Sequence, residues 1–176
     1  MSMFPTKPTE DFPFQDILYE KKDMVARITL NRPEVYNSYS TNTLRELIAA
    51  FTDASQDDGV GVIVYTGAGD KAFCTGGDVK EYATVYTQRP RDYWKYMGLF
   101  SGYLECILKS GKVTIARING IAVGGGNESQ LACDLAVMAD DCYLAQVGTS
   151  VGSVACGGAT QWLSIHVGDR RAREML

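Results

Sequence analysis

The chain has a single histidine, His166, among 176 residues. A serine–histidine–acid hydrolase would have to be built around that one imidazole. No G-x-S-x-G turn is present to raise a serine nucleophile out of a strand. His166 falls late in the run Ala159-Thr160-Gln161-Trp162-Leu163-Ser164-Ile165, where a structural or surface place on a helix is the better explanation. No spacing of His, Cys, Asp or Glu suits a metal ion, so no metal site is expected. The five cysteines, at 74, 106, 133, 142 and 156, form no C-x-x-C pair. Their odd number argues against a disulfide framework, which points to a reducing, cytoplasmic compartment. No apolar run reaches the length of a membrane-spanning helix. The net charge of −4 gives no overall basic surface for nucleic acid. The first fourteen residues are polar, carry three prolines and lack the apolar stretch of a signal peptide. Residues 1–13 are therefore expected to form a loose lead-in and residues 14–176 one domain.

The patterning that is present alternates strands with helices. Residues 17–20 and 25–30 predict two antiparallel strands around the polar turn Lys21-Lys22-Asp23. Ser40-Thr41-Asn42 can cap a helix reaching about Ser55, with Leu44, Leu47, Ile48 and Phe51 on one face. Residues 61–65 form a short apolar strand, 66–78 a glycine-rich loop, and 80–85 and 91–108 two helices. A buried strand is expected over 113–118, a short helix over 128–133, strands over 135–138 and 143–146, and a helix over 157–167. The sum is an α/β domain with a mostly parallel sheet. The last helix opens at Asp169 and no Gly, Asn or Pro stop signal precedes Leu176, so a C-terminal helical portion is expected to be absent.

Two glycine-rich turns carry the chemistry. In Phe73-Cys74-Thr75-Gly76-Gly77-Asp78 and in Gly124-Gly125-Gly126, a strand runs into a helix start. Amides at a helix start are unpaired and carry positive partial charge, and glycine lets a ligand approach them. If the turns met at the ends of neighbouring parallel strands, one amide from each could hold a single oxyanion. Tight helix–strand packing explains either turn alone. Neither has the complete G-x-G-x-x-G spacing or a Walker A lysine, which sets nucleotide binding aside. Glu128, one turn into its helix, is the leading proton carrier, although an acidic residue also suits a helix N-terminus for electrostatic reasons.

Taken in order, five segments resemble the crotonase (enoyl-CoA hydratase/isomerase) superfamily. They are residues 28–33, Lys71-Ala72-Phe73-Cys74-Thr75-Gly76-Gly77-Asp78, residues 116–128, Cys133-Asp134-Leu135 and Gly157-Gly158-Ala159-Thr160-Gln161. The resemblance implies a ββα spiral of packed sheets that binds an acyl-CoA and needs no cofactor beyond the substrate's own CoA. It places the thioester oxygen between the amides of Gly77 and Gly125, with Glu128 as a catalytic carboxylate. Arg32, Val35, Tyr36, Thr75, Gly76, Asp78 and Val79 would line the CoA path. The second glutamate of hydratases has its place taken by Gly148, with Ser150 nearby. Asp78, Ser150 and His166 are lesser candidates for chemistry. Residues 36–41, 77–82 and 93–100 are further similar to the 6-oxocyclohex-1-ene-1-carbonyl-CoA hydrolases, and residues 147–148 with 151–153 to the 2-ketocyclohexanecarboxyl-CoA hydrolases and naphthoyl-CoA synthases, which implies water addition to an alicyclic enoyl- or oxoacyl-CoA, with or without ring opening. Alternatives are hydration or isomerisation of linear chains and a non-catalytic acyl-CoA-binding scaffold. The family also implies a homotrimer or hexamer, to which its C-terminal portion contributes.

Overall fold

The computed structural model describes residues 4–176. Strand β1 (Ile17–Lys22) pairs antiparallel with β2 (Val25–Leu30), from Ile17 opposite Leu30 to Lys22 opposite Val25. Asp23 and Met24 turn the hairpin with φ of 51° and 64°, the two left-handed residues that a tight two-residue connection demands. Ile17 and Tyr19 point inward while Leu18 and Glu20 point out, as the pleat requires. Parallel to β2 lies β3 (Val62–Gly67), then β5 (Val113–Ile118), then β7 (Leu135–Met138), giving the order β1-β2-β3-β5-β7. A second, all-parallel sheet contains β4 (Ala72–Cys74), β6 (Ile121–Val123) and β8 (Leu144–Ala145) in the order β4-β6-β8.

The chain thus repeats one move. A strand in the first sheet turns a corner into a short strand of the second, and a helix or helical turn follows. Helix α2 (Val79–Glu81) runs on into a π-helical turn over Tyr82–Tyr86 and follows β3 and β4. Helix α4 (Gly125–Leu131) follows β5 and β6, and a 3₁₀ turn over Gly148–Val151 follows β7 and β8. This is the expected ββα spiral. Asn119 fixes the corners: its Oδ1 accepts from the Gly67 amide (3.0 Å) and its Nδ2 donates to the Gly69 carbonyl (2.7 Å).

Helices α1 (Thr41–Gln56) and α3 (Pro90–Leu108) pack against each other and supply much of the core. Ser40 and Thr43 form a reciprocal capping box at the start of α1. Leu44, Leu47, Ala50, Phe51 and Ala54 form its buried face, met by Phe100, Tyr103, Leu104 and Ile107 of α3. Phe51 stands edge-on to Tyr65, and Tyr65 edge-on to Phe73. Tyr103 donates its buried hydroxyl to Tyr65 (2.7 Å), as a buried phenol needs. Helices α5 (Ala159–Val167) and α6 (Asp169–Met175) make a small separate cluster of Ala159, Leu163 and Ala172, packed with Leu131.

The elements depart from the sequence reading in several places: β1 runs through Lys22, so the hairpin turn is at Asp23 and Met24, and strand β6 has no counterpart in it. The segment read as one glycine-rich loop contains β4, a strand too short to carry a periodic signal. Helix α4 begins at Gly125 rather than Glu128, because Gly124 adopts φ 55°, ψ −127° and turns the chain directly into the helix. The helix expected from Gly157 begins at Ala159, since Gly158 has φ 111°. The expected lead-in over 1–13 includes Met1, Ser2 and Met3, which lie outside the described residues. Within its remainder, the Lys7 amide donates to Asp53 (3.0 Å) and Phe12 stacks on Phe14 and meets the edge of Tyr19. Among the described residues no helix is long and apolar enough to cross a membrane.

Candidate active site

The turn after β4 is pinned by a single parallel bridge. The Tyr39 amide donates to the Gly76 carbonyl (2.9 Å) and the Asp78 amide donates to the Tyr39 carbonyl (3.0 Å). These bonds use the groups flanking Gly77, so the Gly77 N–H faces away from Tyr39. On the other side lies the start of α4, whose first amides have no acceptor one turn back. A Cβ placed on Gly76 would come 3.0 Å from the Gly125 nitrogen, so the two turns touch backbone to backbone. Gly76, Gly77 and Gly125, singled out from sequence, are therefore brought together.

Glu128 faces the same place. It is 3% exposed, and its Oε1 accepts from the Gly157 amide (2.6 Å) and the Ala159 amide (3.1 Å). Burial pushes its pKa above the ordinary carboxylate value, and the two amides offset that only in part. Its Oε2 has no hydrogen-bond partner among the described residues. A Cβ placed on Gly157 would come 2.8 Å from that Oε2 and 2.6 Å from Phe100 Cζ. One oxygen of the carboxylate is therefore tethered, while the other lies beside an aromatic ring. That is an arrangement for moving a proton rather than for holding a structural ion pair.

Four aromatic side chains that the sequence reading had not marked as site residues crowd these glycines. A Cβ on Gly77 would fall on the Tyr82 hydroxyl and 2.8 Å from that of Tyr96. A Cβ on Gly125 would fall on the Tyr39 hydroxyl and 3.5 Å from Phe100 Cε2. Tyr39 stacks on Phe100, with ring centroids 5.6 Å apart. The ten tyrosines of the chain were a compositional hint. Nothing in their spacing shows that residues from a loop, a π-helical turn and α3 converge. Cys156 is near enough to Glu128 to sense its charge. Partial burial first, then that charge, push the thiol pKa up, which disfavours a thiolate nucleophile.

Of the remaining candidates, Arg32 and Asp78 adjoin the Gly76-Gly77 turn, while Ser150 and His166 make no contact with it among the described residues. Asp78 caps α2 by accepting from the Lys80 and Glu81 amides (3.0 and 3.2 Å). Arg32 gives Asp78 a 2.9 Å ion pair and donates to the Ser38 carbonyl (2.7 Å). Burial opposes the charge on Asp78, but the Arg32 guanidinium and the cap amides outweigh it and hold the pKa below its usual value. Arg32 and Asp78 thus bind each other and brace the Gly76-Gly77 turn. Thr75 donates to the Tyr36 carbonyl (3.2 Å). A cleft of about 160 Å³ opens between Pro33, Tyr36 and Asn37 on one side and residues 68–72 on the other. Val35, Tyr36 and Val79 are exposed along this flank. Ser150 donates to the Val147 carbonyl of its own turn (2.7 Å), which begins at Gly148, and His166 is exposed near the end of α5.

Asn37 holds the flank in place. Fully buried at φ 54°, it accepts from the Arg32 amide (3.0 Å) and donates to the carbonyls of Ala68 (3.0 Å) and Ala72 (2.7 Å). Asn37→Ala is expected to lower stability by about 3 kcal/mol, because buried backbone groups lose their partners. Urea unfolding with an unchanged midpoint would contradict that.

The sequence model of the family described as enoyl-CoA hydratase/isomerase matches residues 20–176. The chain belongs to the enoyl-CoA hydratase/isomerase family. Among curated members it is 46% identical to 6-oxocyclohex-1-ene-1-carbonyl-CoA hydrolase of Geobacter metallireducens over 147 residues, 84% of this chain and 39% of that protein. It is 44% identical to the protein of the same name from Thauera aromatica, over 82% of this chain and 38% of that one. Among solved structures, enoyl-CoA hydratase from Bacillus anthracis superposes with a TM-score of 0.85 at 34% identity, over 92% of this chain and 62% of that one. The chain thus spans about two-fifths of the length of these curated relatives. In family terms, the two touching turns and Glu128 lie in the matched segment, and so do all four aromatic side chains around them.

Proposed function

We propose that this chain carries the acyl-CoA site of an enzyme that adds water to an alicyclic oxo-enoyl-CoA and then opens the ring by hydrolysis. The observation that carries the reading is the buried Glu128 carboxylate, one oxygen tethered and one free, beside two touching glycine turns. The names of the relatives at 44–46% identity supply the substrate class. In 6-oxocyclohex-1-ene-1-carbonyl-CoA the alkene is conjugated to both the thioester and the ring ketone. Water adds at C2, Glu128 takes its proton, and the electron pair moves onto the thioester oxygen. The amides of Gly77 and Gly125 hold that enolate oxygen. Glu128 then returns the proton to C1. For ring opening, a second water, again deprotonated by Glu128, attacks the C6 ketone. The C1–C6 bond breaks, C6 leaves as a carboxylic acid, and the pair on C1 becomes the same thioester enolate until it is reprotonated. Gly148 offers no side chain for a second carboxylate, and the scheme asks for none. No group beyond the substrate's own CoA is required.

The exposed apolar residues Leu135, Val137 and Ile165 support assembly into the family's trimer or hexamer as part of this proposal. A cytoplasmic location fits the five free cysteines.

The test is mass spectrometry of the products of the cyclic oxo-enoyl-CoA and of crotonyl-CoA. A ring-opened product, heavier than the cyclic oxo-enoyl-CoA by two waters, is expected. Hydration of crotonyl-CoA alone would favour the linear-chain reading, and thioester binding without any turnover would favour a non-catalytic scaffold.

A further inference from the structure

Three phenols surround the two amides assigned to the thioester oxygen, and none of them has a part in the scheme above. Tyr82 and Tyr96 are hydrogen-bonded to each other through their hydroxyls (2.8 Å). Tyr96 is 1% exposed, so Tyr82 is its available acceptor, and the proton of the more exposed Tyr82 is left free. Tyr39 is 2% exposed, and its hydroxyl has no hydrogen-bond partner among the described residues. Both free hydroxyls lie against the α-carbons of Gly77 and Gly125.

We infer that the Tyr39 and Tyr82 hydroxyls bind a second oxygen of the acyl group, the ring ketone, and so select an oxo-acyl thioester over a plain hydrocarbon one. This rests on the proposed placement of the thioester between Gly77 and Gly125. In a 6-oxo ring the two carbonyl carbons flank a single ring carbon. A thioester oxygen held by the two glycine amides therefore carries the ketone oxygen to the immediate neighbourhood of those amides, where the hydroxyls stand. Negative charge develops on both oxygens when water adds, and on the ketone oxygen when the second water attacks it. Neutral donors in a dry, aromatic site suit that charge. Burial keeps both phenols protonated: it pushes Tyr82 up to about 12 and Tyr39 well above its usual value, where Tyr96 further opposes ionisation. Tyr96 is a positioning residue that fixes the Tyr82 hydroxyl. Phe100, stacked on Tyr39, fixes its ring.

The experiment compares binding and turnover of 6-oxocyclohex-1-ene-1-carbonyl-CoA and cyclohex-1-ene-1-carbonyl-CoA by the full chain and by Tyr39→Phe and Tyr82→Phe. The unaltered chain is expected to prefer the oxo-thioester, and each variant to lose about 10²-fold in turnover of it. Binding of the ketone-free thioester is expected to change little. Tyr82 is only part-buried, so Tyr82→Phe decides the matter even if Tyr39→Phe fails to fold. Equal affinity for both thioesters, or a preference that survives both substitutions, overturns the inference. Binding preference is read without turnover. A chain that prefers the oxo-thioester but does not hydrate it upholds the tyrosine role and rejects the proposed reaction, whereas a chain that binds neither thioester rejects both.

Discussion

Glu128→Gln is expected to reduce turnover of the cyclic oxo-enoyl-CoA by about 10²–10⁴-fold, the range for loss of a general acid–base group. Thioester affinity should stay within a few fold. The substitution separates chemistry from folding because of how the carboxylate is held. A glutamine Oε1 can still accept from the Gly157 and Ala159 amides at 2.6 and 3.1 Å. What is lost is the charge and the free oxygen beside Phe100. Folding raises the pKa of this group, so the folded chain binds its proton more readily than the unfolded chain does. Between the ordinary value and the raised one, stability therefore falls as pH rises, and at neutral pH the buried charge is a destabilising element. Glu128→Gln should accordingly melt at or above the temperature of the unaltered chain. The same shift sets the acid limb of the pH–rate profile: activity needs the carboxylate ionised, so the rate should fall at a pH above the usual carboxylate range. Unchanged turnover in Glu128→Gln would end the mechanism. A lower melting temperature would mean that the carboxylate is a structural anchor instead.

Glu128 and the two glycine turns could be read from sequence because each is a local signal, a strand running into glycines and a helix start. The alternation of strands and helices could be read for the same reason, since residues 61–65 and 113–118 are apolar runs with turn residues after them, whereas the spiral follows only from the family resemblance. Most of the second sheet could not. Strands β4 and β6 have three residues each, below the length at which alternation distinguishes strand from loop, whereas β8 falls inside the strand expected over 143–146. Their register is set by backbone pairing and by the side chain of Asn119, and neither leaves a period in the sequence. The aromatic wall was hidden for a related reason. Tyr39, Tyr82, Tyr96 and Phe100 come from a loop, a π-helical turn and α3, and only close packing on Gly77 and Gly125 joins them. Arg32 and Asp78, expected along the CoA path, are paired with each other beside the Gly76-Gly77 turn, a contact that no local pattern announces.

Gly126→Ala is expected to be among the most damaging single substitutions in the chain, although it adds only a methyl group and alanine is the better helix former. A Cβ at Gly126 would fall on the Cys74 carbonyl and come 2.8 Å from the Cys74 Cβ. The obstruction is the backbone of β4, which cannot rotate aside as a side-chain tip can. Helix α4 would have to lift off the second sheet, at a cost of about 3 kcal/mol or more, and at this chain length each kcal/mol lowers the melting temperature by roughly 2–4 °C. Gly98 supplies the contrast. It lies exposed in the interior of α3, and a Cβ there would meet nothing within 4 Å. Gly98→Ala should therefore stabilise by about 0.5–1 kcal/mol. The two substitutions make the same chemical change, so opposite signs in thermal unfolding would isolate the close approach of α4 to β4 as the cause. That approach also brings the Gly125 amide against Gly76. Gly126→Ala should consequently lose turnover even at temperatures where it remains folded, because lifting α4 pulls apart the two amides assigned to the thioester oxygen. If Gly126→Ala and Gly98→Ala behaved alike, the contact between the two turns would not be what the helix start is built for.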